Sequence, residues 1–457
     1  MELIPVIAIF DIGKTNKKLF LFDTDYKIVF EKSAKFNEIT DEDGFPCENL
    51  EALTSSLFES LKEVFNSGSY DIRAINFSTY GASFVYIDIN GRPVTPLYNY
   101  LKPYPDELKD RFYADYGGED RFARQTASPV LGSLNSGMQL YRLKHEQPEV
   151  FAKTKYALHL PQYMSFLLTG KMVSDITSIG CHTNLWDFDN DQYHEWVTKE
   201  HIAEKLAPMA GADSVVKMEL YDKEVAVGSG LHDSSAALIP YLTNFHEPFM
   251  LLSTGTWCIS LNPFNNTPLT IDELNNDCLC YLDYRGKAIK ASRLFAGNEH
   301  EVQSKRLASH FNQHTGKYKT VHYNPDVIPH LKTIKVLTEN GDLIPFAKAD
   351  LSKFRSDEEA YHHLIYDLIK QQVISSGLIL KGTSVRRIFV DGGFSKNIIY
   401  MNLLAAAYPD LEVYAASMPQ ATSMGSAIVL HEHWNDKPLP SNLIGLNFYV
   451  SKPVYSN

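Results

Sequence analysis

A chain of 457 residues, 44% apolar and 21% charged, exceeds what one hydrophobic core usually serves, so two domains of roughly 200 residues each are expected, with a ligand in the cleft between them. A formal net charge of −12 leaves no basic footprint for nucleic acid, and no run of about 18 apolar residues is present to span a bilayer. The amino terminus, with acidic Glu2 and no basic stretch ahead of its apolar run, reads against a secretory signal, so cytoplasmic residence is expected. The five cysteines (Cys47, Cys181, Cys258, Cys278, Cys280) are odd in number and dispersed, which suits reduced thiols better than a disulfide framework or a zinc site.

In chain order, Val6–Phe10 (VIAIF) reads as a buried strand and Lys18–Asp23 (KLFLFD) as its hairpin partner across Asp11-Ile-Gly-Lys-Thr-Asn16. Gly13 lets the turn expose consecutive backbone N–H groups as an anion nest, Thr15 and Asn16 add side-chain donors, and Lys14, Lys17 or Lys18 adds charge. Asp11 is placed to hold Mg²⁺ through water, because that ion is usually bound by few carboxylates plus substrate phosphates. A plain hairpin turn favours the same residues. The Gly-Lys-Thr string is not a Walker loop, since Ala8 stands where that motif has glycine and a strand follows instead of a helix.

Leu50–Asn66 has helical periodicity, Ile72–Phe77 reads as a strand, Gly81 as a turn, and Phe84–Ile87 as a strand leading to an Asn90-Gly91 turn. Tyr156–Leu168 reads as a helix ended by Gly170. Val227-Gly-Ser-Gly-Leu-His-Asp233 is a glycine-rich approach to an acid at the start of a small-residue helix. There a carboxylate can accept a proton from a hydroxyl attacking a γ-phosphate, or can serve only as an N-cap. His232 suits a hydrogen bond to a sugar oxygen, or a structural role. Phe249–Ser253, the turn Thr254-Gly255-Thr256 and Trp257–Leu261 repeat the plan of the first hairpin. Two α/β halves built alike follow, 1–242 and 243–457, with two phosphate turns facing as a clamp. Tyr361–Leu380 reads as a helix ended by Gly382, and Phe389-Val-Asp391-Gly392-Gly393 runs a strand into paired glycines. That pair lets backbone approach a flat ligand, or makes a simple strand-to-helix turn.

Taken in order, these elements resemble the FGGY family of carbohydrate kinases, within the actin, hexokinase and Hsp70 superfamily, over nearly the whole chain. The resemblance implies two actin-like (ribonuclease H-like) domains with a central cleft, and ATP and Mg²⁺ as cofactors. It makes Asp233 the catalytic base, Asp11 the metal ligand, and the turns at Gly13–Lys17 and Thr254–Thr256 the phosphate hairpins. Gly392 and Gly393 become the adenosine-binding glycines, and Gly81, Ser83, Tyr100, His232 and Asp233 the sugar contacts. His232-Asp-Ser-Ser-Ala236 and Leu252-Ser-Thr-Gly-Thr-Trp257 are most similar to rhamnulokinases, then fuculokinases. Thr79-Tyr-Gly-Ala-Ser-Phe84 departs from their sugar loop, with Ser83 where they have aspartate, and Tyr100–Tyr104 lacks their Asp and Arg. The expected substrate is therefore a small ketose, L-rhamnulose- or L-fuculose-like. Alternatives are another sugar or polyol (xylulose, ribulose, gluconate, glycerol) and an actin- or Hsp70-like ATPase switch. A homodimer is the expected assembly, with no nucleic-acid or membrane partner.

Overall fold

Side-chain alternation along the central strands decides the layering. In Ile4–Ile12, Val6, Ala8 and Phe10 share one core with Leu53, Leu57 and Leu61 of helix Leu50–Asn66, while Ile7 and Ile9 belong to another. A strand covered on both faces is apolar throughout, which is why this one reads as an unbroken run. The second half repeats the arrangement. Met250 and Leu252 of strand Phe249–Thr254 pack with Leu364, Ile365 and Leu368 of helix Asp357–Leu380, and Phe249 and Leu251 join Ile7 and Ile9 in the shared inner core.

The computed structural model describes residues 3–329, 345–418 and 420–450. In the first sheet the order is Val215–Leu220, Lys223–Gly228, Tyr70–Thr79, Ile4–Ile12, Lys17–Asp23 and Ile28–Ala34, with Leu231–His232 also on Tyr70–Thr79. In the second it is Cys278–Leu282, Ala288–Leu294, Cys258–Asn262, Phe249–Thr254, Arg387–Gly392, Glu412–Ser417 and Gly445–Tyr449. Each half places its first strand antiparallel to a hairpin partner and parallel to the strand on its other side. The expected pair of like α/β halves is thus the observed architecture.

Between the sheets lie two helices, Asp233–Asn244 and Ala421–Ile428. Their small residues permit an unusually close crossing: a Cβ on Gly425 would sit 1.9 Å from the Ala236 carbonyl oxygen. The later helix follows strands of the second sheet yet is tied to the first, where Asn76 donates to the Ser426 carbonyl at 2.8 Å. Among the described residues no helix is long and apolar enough to cross a membrane.

Two local expectations change. Tyr156–His159 is a strand, antiparallel to Phe84–Ile87 in a separate two-stranded sheet, and the helix starts only at Leu160. Pro161 in the first turn explains the boundary, since its fixed φ and missing N–H suit a helix start. Gly170 ends that helix as expected, at φ 64°. The expected Tyr361 helix begins a turn earlier, at Asp357, because Ser356 caps it by accepting from Glu359 N at 3.1 Å.

Two glycine substitutions should separate the crossing from ordinary helix propensity. Gly425→Ala is expected to destabilise by about 1–3 kcal/mol through overpacking against the Ala236 carbonyl. Gly377→Ala, in a helix where a Cβ meets nothing within 4 Å, is expected to stabilise by about 0.5–1 kcal/mol. Urea unfolding midpoints of the two variants check the opposite signs.

Candidate active site

The inner parity of Ile7 and Ile9 also places Asp11 on the side of the helix pair. Its Oδ2 accepts from Ser423 Oγ of helix Ala421–Ile428 at 2.9 Å. Burial pushes the carboxyl up to about 6 against the Ser423 hydrogen bond, with the Asp233 charge adding to the rise and Lys18 opposing it. Asp391 has the same inner parity as Phe389, and its Oδ2 accepts from the Tyr241 hydroxyl of helix Asp233–Asn244 at 3.2 Å. Each sheet therefore sends one acid, from the carboxyl end of a strand, onto one of the two helices. Carboxyl ends of strands are where open α/β sheets bind ligands.

Asp233 opens its helix, and His232 occupies the N-cap position without a side-chain cap bond, so Asp233 is not the cap. Its Oδ1 accepts from Ser234 N at 2.6 Å and Ser234 Oγ at 3.2 Å, and lies 3.2 Å from His232 Nε2. Burial pushes this carboxyl up to about 6, against the Ser234 hydrogen bonds. Oδ2 is unengaged among the described residues, and the side chain is 35% exposed. The Asp233 charge reaches Asp11, Tyr100, Cys181 and Tyr281, so the candidate base, the candidate metal ligand and one candidate sugar contact converge.

His232, expected among the sugar contacts, is closely enclosed by protein. Its ring is 5% exposed, stacked over Tyr281 at 5.9 Å and 3.2 Å from Cys181 Sγ. Gly81 makes room for it, as a Cβ there would lie 2.9 Å from His232 Cδ2. Burial holds its pKa down to about 4, so the imidazole is neutral. Beyond Gly81, Ser83 is buried, and the rings of Tyr80 and Tyr100 lie 5.9 Å apart.

The first turn closes with Gly13 N donating to Asn16 O at 2.9 Å, leaving Thr15 and Asn16 exposed. The two lysines behave otherwise than expected. Lys17 Nζ is buried against Glu48 at 2.9 Å and donates to Lys14 O at 3.0 Å. Lys14 Nζ pairs with Glu38 at 3.1 Å and lies 5.8 and 5.9 Å from the Tyr80 and Tyr100 rings. Their ammonium groups are committed to carboxylates, which leaves backbone N–H groups and the exposed Thr15 and Asn16 side chains as the donors this turn offers an anion.

The second turn and the paired glycines form one unit. Gly255 N donates to Trp257 O at 2.9 Å, Gly393 N to Thr254 O at 2.8 Å, and Phe394 N to Thr254 Oγ1 at 2.9 Å. Thr254 Oγ1 donates onward to the Asp391 carbonyl, so its hydroxyl is a strut and not a free phosphate donor. Gly392, at φ 86°, would bring a Cβ within 2.0 Å of Thr254 O, and Gly297 one within 1.8 Å of Gly255 O. Thr256, Gly392 and Gly393 remain exposed. Ser423, Glu48 and Gly297 were not among the residues singled out in the sequence. Only Ser423 carried a signal there, the small-residue run Ala421-Thr-Ser-Met-Gly-Ser-Ala427.

Residues 6–239 match the N-terminal domain of the FGGY family of carbohydrate kinases, and residues 246–438 match the carbohydrate kinase FGGY C-terminal domain. A rhamnulokinase of Halalkalibacterium halodurans is 26% identical over 278 residues, 57% of this chain and 56% of that protein. The chain thus spans about half the length of the curated relatives it matches. The crystal structure of a carbohydrate kinase from Novosphingobium aromaticivorans superposes with a TM-score of 0.79 at 24% identity, covering 98% of this chain and 95% of that one. Ligand-bound xylulose kinase from Lactobacillus acidophilus gives 0.76 at 17% identity over 98% and 94%. These likenesses establish the same fold. Because the two domain matches together take in most of both sheets and of the helix pair, and every acid described above, the protein belongs to the FGGY family of carbohydrate kinases.

Proposed function

We propose that the protein transfers the γ-phosphoryl group of ATP to a hydroxyl of a small ketose, L-rhamnulose- or L-fuculose-like, by direct in-line attack. The observation that carries this reading is Asp233, whose Oδ2 is unengaged among the described residues while the Ser234 amide and hydroxyl both donate to Oδ1. A carboxylate so held can take the proton of an attacking hydroxyl as the bond to phosphorus forms. Asp11, with Oδ2 taken by Ser423, offers its other oxygen to water-bridged Mg²⁺. When bound, that ion neutralises charge developing on the phosphate oxygens. The backbone of the turns at Gly13–Lys17 and Thr254–Thr256 holds phosphates, and exposed Gly392 and Gly393 approach the adenosine. Tyr100, which feels the Asp233 charge, is the proposed sugar contact, with Gly81 and the buried Ser83 shaping the loop beside it. The ketose class is supported by curated relatives named rhamnulokinase. The boundary between the halves is placed near 243, where helix Asp233–Asn244 gives way to strand Phe249–Thr254.

ATP turnover measured against a panel of ketoses and polyols tests this reading: turnover is expected to rise sharply with one ketose, and an unchanged rate across the panel would remove it. With that ketose, Asp233→Asn is expected to lower kcat by roughly 10²- to 10⁴-fold while nucleotide affinity, measured calorimetrically, stays near wild type. Because Asp233 must be ionised to accept a proton and its carboxyl stands at about 6, activity should fall as pH is lowered through about 6, which a pH profile of kcat checks. Asp11→Asn is expected to impair Mg²⁺-ATP use with a deficit that shrinks as Mg²⁺ is raised; a Mg²⁺-independent deficit in the same titration would point to folding.

A further inference from the structure

We propose that Gln139 is a positioning residue for the sugar loop: its amide holds Ala82 in the left-handed conformation and so fixes how the loop meets the substrate. The inference rests on the reading that the loop at Gly81–Ser83 borders the sugar.

Alanine rarely takes the backbone that Ala82 has here. Its φ is 59°, a region that is unfavourable for any residue with a Cβ and free for glycine. Such a conformation persists where the surroundings hold it, and it collects at functional sites. Both flanks of Ala82 are anchored. Tyr80 N donates to the Ile12 carbonyl at 3.1 Å, which ties the loop to the strand that carries Asp11, and Leu160 N donates to the Ser83 carbonyl at 3.1 Å. Between these anchors, the only hydrogen bond to the backbone of Gly81 or Ala82 among the described residues runs from Gln139 Nε2 to the Ala82 carbonyl, at 2.7 Å.

The chemistry of the amide suits this task. Gln139 lies on helix Ser136–Glu146, is 7% exposed, and also donates from Nε2 to the Ser133 carbonyl at 2.6 Å. Carbonyl oxygens only accept, so both amide hydrogens are engaged, and turning the amide over would set Oε1 against two oxygens. Oε1 itself meets no donor among the described residues, so the hydrogens are what the site uses. Ser133 belongs to the turn Gly132–Leu134 ahead of the helix, and one side chain therefore joins that turn to the sugar loop. The N–H groups of Gly81 and Ala82 have no partner among the described residues. Rotation about φ of Ala82 turns the peptide that carries the second of them, and Gln139 thereby governs where that donor points.

Steady-state kinetics with the ketose identified in the panel test the proposal in two backgrounds, with alanine and with glycine at position 82. Gln139→Met keeps the length of the side chain and loses its donors. With alanine at 82 it is expected to raise KM for the sugar about 5- to 25-fold, as the loop leaves the conformation that binds, while kcat and KM for ATP stay within about twofold. With Ala82→Gly present, the same substitution is expected to raise the sugar KM by less than about threefold, because glycine keeps the left-handed region unaided. An unmoved sugar KM, an equal rise in both backgrounds, or a KM for ATP that rises in step would each overturn the proposal. If Gln139→Met does not fold, Gln139→Asn, whose amide is drawn back by one carbon, takes its place with the same expectations. The crystal structure of the Gln139 variant gives a readout that needs no substrate. Ala82 is expected at negative φ, and a φ still near 59° would decide against the proposal. If the wild type phosphorylates no sugar, the proposed activity fails and that crystal structure alone decides whether Gln139 holds Ala82.

Discussion

The crossing of helices Asp233–Asn244 and Ala421–Ile428 is the constraint on which the site depends. At Gly425 the space is too small for a methyl group beside the Ala236 carbonyl, so two helix backbones are in contact where side chains usually intervene. Both sheets pack on this pair through residues of one parity, Ile7 and Ile9 from one side and Phe249, Leu251 and Phe389 from the other. The separation of the two sheets is therefore set by backbone contact, which close packing makes hard to deform.

That separation is what brings acids from distant parts of the chain into one electrostatic neighbourhood. Asp11 is anchored to the helix that contains Gly425, and Asp391 to the helix that begins with Asp233. Each acid is partly withdrawn from water, which lifts the carboxyls of Asp11 and Asp233 to about 6. Groups with such values titrate close to neutrality, where proton transfer is most efficient. The neighbouring lysines do not cancel the effect, since Lys14 and Lys17 are already matched by Glu38 and Glu48.

Much of this was legible in the sequence because it is local. The apolar run ending in Asp11, the glycine-rich approach to Asp233, and the two hairpins with polar turns each follow from residues within about ten positions of one another, and the repeated hairpin disclosed the two like halves. What escaped was non-local. His232 beside an acid looks available for a ligand until Gly81, Cys181 and Tyr281 are seen to enclose it. Lys17 in a donor-rich turn looks like a phosphate ligand until Glu48 is found against it. Thr254 looks like a free hydroxyl until the Asp391 carbonyl and Phe394 amide take it. In the stretch from Tyr156, helical periodicity concealed a strand whose partner, Phe84–Ile87, lies far back in the chain.

The helix Ala421–Ile428 comes late in the chain, yet it covers the first sheet and holds Asp11 through Ser423. During synthesis, the part of the inner face of Ile4–Ile12 that this helix covers stays open until residue 428 has left the ribosome. Ile7, Ile9, Phe20 and Phe22 lack that part of their cover until then, and incompletely covered apolar surface is what makes partly folded chains prone to aggregate. The first half can form its sheet and its outer helices as it emerges, but its core is complete only when helix Ala421–Ile428 returns to it, so the two halves mature together and not in succession.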